Sequence, residues 1–262
     1  MRAGPVAVAM ALCGYVFLLA PIAVVLALSL SSDPFLRFPP TGWSTRWFVA
    51  LVGNAEIMAA ARTSALLATV VTVLALAAGV PAAFAVARGR VPGAIGGLLS
   101  APLMMPSLVL GLALLMALHP LRLVATWPGL VLAHLVIVLP FVVRIMVAAL
   151  GGMAIAPERA AASLGASPRQ VFLRVTLPLA LPGVLAAATL AFLVSFDETV
   201  MSLFLTGPRL TTLPVAMFRY TESRTDPLIA ALAVSLIGLS GVIVLGVERL
   251  VGFSRVVGKT RF

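Results

Sequence analysis

The stretch that decides the fold is PERAAASLGASPRQVFLRVTLP, which runs from Pro157 to Pro178 and interrupts a chain that is otherwise mostly apolar. Its alanines at 160–162 are strong helix formers with little side chain to keep a partner away. Gly165 stands where a helix end favours a residue that tolerates a left-handed backbone. Ser167 and Pro168 are typical of the N-cap and first residue of a new helix. The pattern predicts two short helices joined by a glycine corner at a membrane surface, with a small-residue face directed outward.

This stretch resembles the cytoplasmic loop of the permeases of binding-protein-dependent ABC importers. The family pattern is Glu-Ala-Ala, a Gly four residues after the second Ala, and then Ile-x-Leu-Pro. The residues in register with it are Ala160, Ala161, Gly165, Val175 at the Ile position, Leu177 and Pro178. The resemblance implies a coupling helix that seats in a groove of a separate ATPase subunit. The residues expected at that contact are Glu158, Arg159, Ala160, Ala161, Gly165, Ala166, Ser167 and Pro168.

The match departs from the family pattern at the acid. Arg159 stands where the pattern has Glu, and Glu158 lies one place earlier. The docking interpretation survives this change, but the charge contact that the family makes with the ATPase is not assured. An amphipathic surface loop without a partner is the alternative.

The composition is that of a membrane protein. Of 262 residues, 62% are hydrophobic and 10% are charged, with a mean hydropathy of +1.17, whereas a soluble domain has about a quarter of its residues charged. The net charge of +10 does not indicate nucleic-acid binding, because the basic residues are dispersed between apolar runs. The lone Cys13 allows no intrachain disulfide.

A helix needs about 20 apolar residues to cross the hydrocarbon, and helices are the reasonable spanning element for such runs. The first run is too long for the hydrophobic region of a secretory signal, so we interpret it as an uncleaved helix. We therefore expect an all-α membrane protein, with residues 1–262 forming one transmembrane domain. The resemblance implies that it is of the ABC importer type I permease class, with 157–178 as its cytoplasmic coupling loop. The six candidate spans are about 5–30, 60–87, 94–118, 128–150, 182–205 and 228–250.

The distribution of Lys and Arg predicts that both termini are cytoplasmic. With the N-terminus inside, eleven basic residues lie on the cytoplasmic side and seven outside; the eleven are Arg2, Arg88, Arg90, Arg144, Arg159, Arg169, Arg174, Arg249, Arg255, Lys259 and Arg261. This orientation puts the 157–178 stretch on the side where ATP is available. Residues 31–57 then form the largest outer segment.

The fifth span carries two adjacent acids, Asp197 and Glu198. Asp197 lies roughly 21 Å along a helix that begins near residue 183, and an ionised side chain at such depth costs about 2.5–3.5 kcal/mol even on the insertion scale. In a straight helix one narrow face would hold Ser195, Glu198, Thr199, Ser202 and Thr206. We therefore expect Glu198 to face a wet substrate pathway and Asp197 to point toward a partner helix. The alternative is that both acids are paired charges that stabilise the bundle.

The acidic pair and its continuation look like the spermidine/putrescine branch of the permease family. Members of that branch carry two acids, usually Asp-Asp, before a Gly-Pro and a Thr-Thr-Leu-Pro, and this chain has Gly207-Pro208 and Thr211 to Pro214. The likeness extends over residues 60–245 and implies a half-pore with a second permease, two ATPase subunits and an extracytoplasmic binding protein. Acids on a pore wall suit a polycation, although related permeases move iron, aminoethylphosphonate or opines.

The sequence shows no catalytic set, no glycine-rich phosphate loop and no metal-ligand spacing around His119 or His134. We expect no catalytic residue, metal or cofactor on this chain, with ATP used by the partner ATPase. Lipid is the expected environment, and nucleic acid is not an expected partner. The prediction is a permease subunit in the bacterial inner membrane, and the resemblance implies polyamines as its substrate. One alternative is a self-sufficient secondary transporter or channel, which would normally show more spans or an internal repeat than this sequence does. A membrane-embedded enzyme is a more distant alternative.

Overall fold

The computed structural model describes residues 5–89, 91 and 93–251, and within them regular structure is helical apart from two isolated bridges, Ser31–Trp43 and Gly207–Leu210. The predicted cytoplasmic residues Arg2, Arg90, Arg255, Lys259 and Arg261 lie outside the described residues. The helices are α1 Pro5–Ser29, α2 Arg46–Gly53, α3 Ala55–Ala87, α4 Gly93–Ser100, α5 Ser107–Leu118, α6 Trp127–Gly151, α7 Ala156–Ser163, α8 Pro168–Val171, α9 Leu177–Leu179, α10 Leu181–Asp197, α11 Val200–Leu205, α12 Leu213–Ser223 and α13 Leu228–Val251.

The described residues include four helices that are long and apolar enough to cross a membrane. They comprise Val8–Ser29, Ala55–Ala87, Trp127–Gly151 and Leu228–Arg249. Two bent helix pairs raise the number of candidate spans to six if each pair is one span. The all-α membrane class is confirmed, and six remains the predicted span count.

Prolines explain the bent pair in the predicted third span. Gly97–Met104 and Ser107–Leu118 meet at 108°. Pro106 precedes the first residue of α5, and Met105 before it is extended at φ −90° and ψ 136°. A residue before proline is disfavoured in the helical region, so the helix must stop there. The break therefore follows from the local sequence.

The polar face expected in the fifth span assumed a straight helix, and that assumption is wrong. Helix α10 ends at Asp197, Glu198 is extended at φ −68° and ψ 109°, and α11 begins only at Val200. A second bend, of 73°, separates 168–179 from α10. The single polar face proposed for this span therefore does not exist as a continuous stripe.

The chain divides into two compact units. One contains residues 60–215 and 242–262, and its core is formed by buried aliphatic side chains of α3, α6, α10 and α11. Small residues allow the helices of this core to approach closely: a Cβ added to Gly79 would lie 2.7 Å from Val142 Cγ1, and one added to Gly183 would lie 2.6 Å from the Ala149 Cβ. This is the packing expected between membrane helices, where small side chains permit dispersion contacts.

The other unit contains residues 1–59 and 216–241. The segment between α1 and α2 is organised by Asp33, whose carboxylate accepts hydrogen bonds from the Thr41 hydroxyl, the Thr41 amide and the Ser31 hydroxyl. These bonds hold the pKa of Asp33 below its usual value, and the bond from the Thr41 hydroxyl has the largest effect. The Leu36 amide donates to the Thr225 carbonyl at 3.0 Å, which ties this segment to the chain that follows α12.

Candidate functional site

The predicted glycine corner is present between α7 and α8. Gly165 has φ +86°, the Ala166 amide donates to the Ala161 carbonyl at 3.1 Å, and the Gly165 amide donates to the Ala162 carbonyl at 3.0 Å. These two bonds form a Schellman motif, which satisfies the last carbonyls of α7. Only glycine takes this backbone conformation without strain, so the sequence specifies the corner locally.

The start of α8 is also as predicted. Ser167 is its N-cap and Pro168 its first residue. The Ser167 hydroxyl accepts from the Gln170 amide at 3.4 Å, and the Gln170 side chain accepts from the Ser167 amide at 2.8 Å. This reciprocal capping box satisfies two backbone donors. A π-helical turn, Phe172–Thr176, follows, and the Phe172 ring packs edge-on against Phe84 of α3 at 5.0 Å.

The outward face of this loop is exposed. Leu164 is 89% exposed, and Arg159, Ala160 and Ala162 are exposed as well. Leu164 therefore presents an apolar side chain on this exposed face, beside the small alanine side chains.

Glu158 does not belong to that exposed face. Its carboxylate accepts from Arg88 Nε at 3.0 Å and from Arg88 Nη2 at 2.6 Å, while Arg88 Nη1 donates to the Leu150 carbonyl at 3.2 Å. The two side chains are 10% and 11% exposed. Because they lie 70 residues apart in sequence, pattern analysis offered no signal for their pairing.

The acidic pair lies at the break between α10 and α11. The Asp197 side chain is exposed, whereas Glu198 is half-buried and its Oε1 accepts from the Met201 amide at 2.9 Å. Glu198 thus caps the first turn of α11. The Thr199 hydroxyl donates to the Asp197 carbonyl at 3.2 Å. The predicted residues Asp197, Glu198 and Thr199 lie close together in the structure. The carboxylate of Asp197 is more exposed than that of Glu198, the reverse of what the sequence predicted.

Ser195 and Ser202, which the sequence assigned to a wet face, are buried instead. They are 3% and 0% exposed and flank His134 of α6, itself 1% exposed. The Nδ1 atom of His134 is 2.9 Å from Ser195 Oγ, and its Nε2 atom is 3.1 Å from Ser202 Oγ. We name these three residues the histidine clamp; it fixes the ends of α10 and α11 on either side of the break.

The sequence gives His134 no metal-ligand spacing, and the structure shows it buried and hydrogen-bonded. The sequence did not indicate its hydrogen bonds to the two serines. Ser195 and Ser202 follow His134 by 61 and 68 positions, and contacts over such separations leave no local pattern. Across the described ranges, no group of three or more His, Cys, Asp or Glu side chains could hold a metal ion.

A small cavity of about 190 Å³ lies elsewhere, in the unit that contains α2 and most of α12. Its lining includes Glu56, Arg219 and Tyr220. The Tyr220 hydroxyl donates to the Asp226 carboxylate at 2.8 Å. Burial, aided by that carboxylate, raises the pKa of Tyr220. The charges around this cavity are mixed, so it indicates no ligand of one sign.

Comparison with known proteins gives one family. Residues 73–252 match the model of the binding-protein-dependent transport system inner membrane component. The chain is 33% identical over 241 residues to the putrescine transport system permease protein PotI of Escherichia coli (strain K12), covering 88% of this chain and 85% of that one. It is 31% identical to the spermidine/putrescine transport system permease protein PotC of the same strain, covering 94% and 93%.

Similarity also extends to a protein named for a different substrate. The molybdenum transport system permease protein ModB of Mycobacterium bovis (strain ATCC BAA-935 / AF2122/97) is 35% identical over 223 residues, covering 78% of this chain and 83% of that one. Percentage identity therefore does not distinguish the substrates that these names give.

Two solved structures share the fold. One belongs to a bacterial ABC transporter involved in the import of the acidic polysaccharide alginate, with a TM-score of 0.66 at 16% identity over 97% of this chain and 95% of that one. The other is the MetNI methionine ABC transporter, with a TM-score of 0.60 at 19% identity over 76% and 97%. With its exposed glycine-corner loop, its apolar helices and these matches, the chain belongs to the binding-protein-dependent transport system inner membrane components, and it is a multi-pass transport subunit of an ABC importer.

Proposed function

We propose that this chain forms half of the translocation pore of an ATP-driven importer for polyamines. Its partners are a second permease of similar fold, two ATPase subunits, one of which docks on the 157–178 loop, and an extracytoplasmic binding protein. The observation that carries the substrate assignment is the position of Asp197 and Glu198 at a helix break.

A break in a spanning helix requires either protein or water around it. Glu198 has an extended backbone between α10 and α11, and non-helical backbone at membrane depth is tolerated only where protein buries it or water reaches it. The exposed Asp197 carboxylate favours water, since lipid contact would be costly for an ionised group. In the half-pore, this surface faces the second permease across the pathway.

Electrostatics at the break favour a cationic substrate. Asp197 is the last residue of α10, a helix of 17 residues, and the C-terminus of a helix carries about half a negative charge. The two carboxylates and this helix end add negative potential, and the amides at the start of α11, one of which bonds Glu198, offset part of it. The exposed Asp197 is then the main negative charge at the break. Names of relatives include both putrescine and molybdenum systems, so this local charge, together with the two relatives named for polyamines, supports the polyamine assignment.

The loop supports the ATPase part of the proposal. Its two short helices are fixed by the Gly165 corner and the Ser167 capping box, and it presents Leu164 and small residues outward. A rigid, preorganised loop with an exposed leucine can dock in an apolar groove of a partner at a low entropic cost. The exposed charge next to the alanines is Arg159, so the groove is expected to supply a carboxylate there.

The experiment is uptake of labelled putrescine and spermidine by cells that express the intact partner subunits. Asp197→Asn and Glu198→Gln remove charge with little change in size. Both are expected to lower uptake, while the affinity of the external binding protein for the amines is unchanged. Asp197→Asn is expected to have the larger effect, because Glu198 already accepts a hydrogen bond from the Met201 amide. Thr69→Ala, a change of an exposed α3 hydroxyl that bonds within its own helix, is the control.

Membrane-inserted protein is quantified for each variant so that a loss of uptake is not a loss of protein. Full uptake of both amines by the Asp197→Asn/Glu198→Gln double variant would refute the pathway role. Failure of the wild-type system to move either amine would refute the polyamine assignment and leave the family assignment unchanged.

A further inference from the structure

The contact between Arg88 and Glu158 joins the exposed loop to the membrane-spanning helices. Arg88 directly follows α3, and its amide donates to the Phe84 carbonyl at 3.1 Å. Its guanidinium engages both carboxylate oxygens of Glu158 in the first turn of α7 and the Leu150 carbonyl in the last turn of α6. One side chain therefore connects three helices.

The geometry of this contact makes it stiff. A guanidinium that meets a carboxylate through two parallel hydrogen bonds fixes orientation as well as distance. Both side chains are about nine-tenths covered, so water cannot readily replace either partner. The Phe172 ring, packed on Phe84, adds an apolar contact between the same loop and the end of α3.

The rest of the loop has few comparable charged links. In residues 155–179 the sequence has one acid, Glu158, and three arginines. The arginines Arg159, Arg169 and Arg174 are exposed. Movement of the loop would therefore reach α3 and α6 chiefly through Glu158 and the packing beneath it.

We propose that the Arg88–Glu158 pair transmits movement of the docked loop to α3 and α6, so that Glu158 is a positioning residue inside this subunit and not a contact to the ATPase. This inference rests on the proposed function, because it assumes that an ATPase docks on the loop. It changes the role expected for Glu158 from the sequence. Arg159, one residue later, is then the charge that faces the ATPase.

The test is a double-mutant cycle in the complete importer, reconstituted in proteoliposomes. The variants are Arg88→Gln, Glu158→Gln and both together. Two quantities are measured: the amount of ATPase that co-purifies with the complex, and the stimulation of ATP hydrolysis by binding protein loaded with putrescine. Arg122→Gln, a change of an exposed arginine outside the loop, is the matched control for loss of one positive charge.

Each single variant is expected to keep the ATPase bound, since the exposed docking face is unchanged, and to lose at least fivefold in stimulation. Arg88→Gln should lose more than Glu158→Gln, because it also gives up the bond to the Leu150 carbonyl. The double variant should be no worse than Arg88→Gln. The charge-exchanged variant Arg88→Glu/Glu158→Arg should recover part of the stimulation lost by either of its single changes.

Two results would overturn the proposal. Losses that multiply in the double variant would show that the residues act independently, and loss of ATPase co-purification in the single variants would show that the pair builds the docking face. If the wild-type complex retains no ATPase or shows no stimulation, the proposed function itself fails. The wild-type measurement therefore separates that failure from failure of the pair.

Discussion

Replacement of His134 by leucine tests whether the histidine clamp holds the helix break in place. Leucine nearly matches histidine in volume but has no polar atom, so the change leaves the hydroxyls of Ser195 and Ser202 facing an apolar side chain. Both hydroxyls are buried in the wild-type protein, and water is not expected to enter easily. We expect the ends of α10 and α11 to lose their shared anchor while α6 itself remains helical.

The size of the effect follows from the two unsatisfied groups. Each buried hydroxyl without a partner costs about 1–3 kcal/mol. Ser195 lies within α10 and can turn to the carbonyl four residues earlier, which puts its cost at the lower end. We estimate about 2–4 kcal/mol in total, which lowers the midpoint of thermal unfolding by roughly 4–16 °C for a chain of this size.

The assay is thermal unfolding in detergent, followed by the loss of monodisperse protein in size-exclusion chromatography. His134→Gln is the matched variant, because its amide keeps one donor and one acceptor and should recover most of the loss. Ser235→Ala removes a hydroxyl that bonds within its own helix, to the Ala231 carbonyl at 2.8 Å, and is expected to shift the midpoint little. Equal midpoints for His134→Leu, His134→Gln and wild type would refute the clamp.

Three further predictions concern the corner, the topology and the core. Gly165→Val should lower ATPase co-purification with normal membrane insertion, because a β-branched residue is strained at φ +86°; unchanged co-purification would contradict the docking role. A reporter inserted between Trp43 and Trp47 should lie outside and one fused to the C-terminus inside, and the same side for both would exclude the six-span topology. Gly183→Leu should reduce folded protein severely, since even a Cβ would lie 2.6 Å from the Ala149 Cβ; normal yield in detergent would disprove this close packing.

Local features of the loop could be predicted from the sequence because they depend on neighbouring residues. A left-handed corner needs glycine, and Gly165 supplies it. A capping box needs Ser and Gln three residues apart, and Ser167 with Gln170 meets that spacing. The apolar runs likewise predict spanning helices, since the length of a run and the thickness of the hydrocarbon set that outcome.

The acidic break could not be predicted in the same way. No Gly or Pro lies between Leu185 and Thr206, so local propensity favours a continuous helix through this stretch. The helix stops at Asp197 in the folded chain, where Glu198 caps α11 and His134 holds a serine on each side. A helix end of this kind is decided by side chains from elsewhere in the fold, whose contributions outweigh the small differences in propensity.

Residue composition and local spacing determined that this protein is an α-helical membrane subunit whose 157–178 loop turns at a glycine corner. The spanning helices and the corner both depend on interactions within a few residues. Tertiary structure alone decided the roles of the charged and polar side chains. Glu158 turns inward to Arg88, 70 residues away, and Ser195 joins His134 across 61 residues. Hydrogen bonds and ion pairs select partners by distance in space, and an unpaired buried group is costly, so these contacts exist only once the helices have packed.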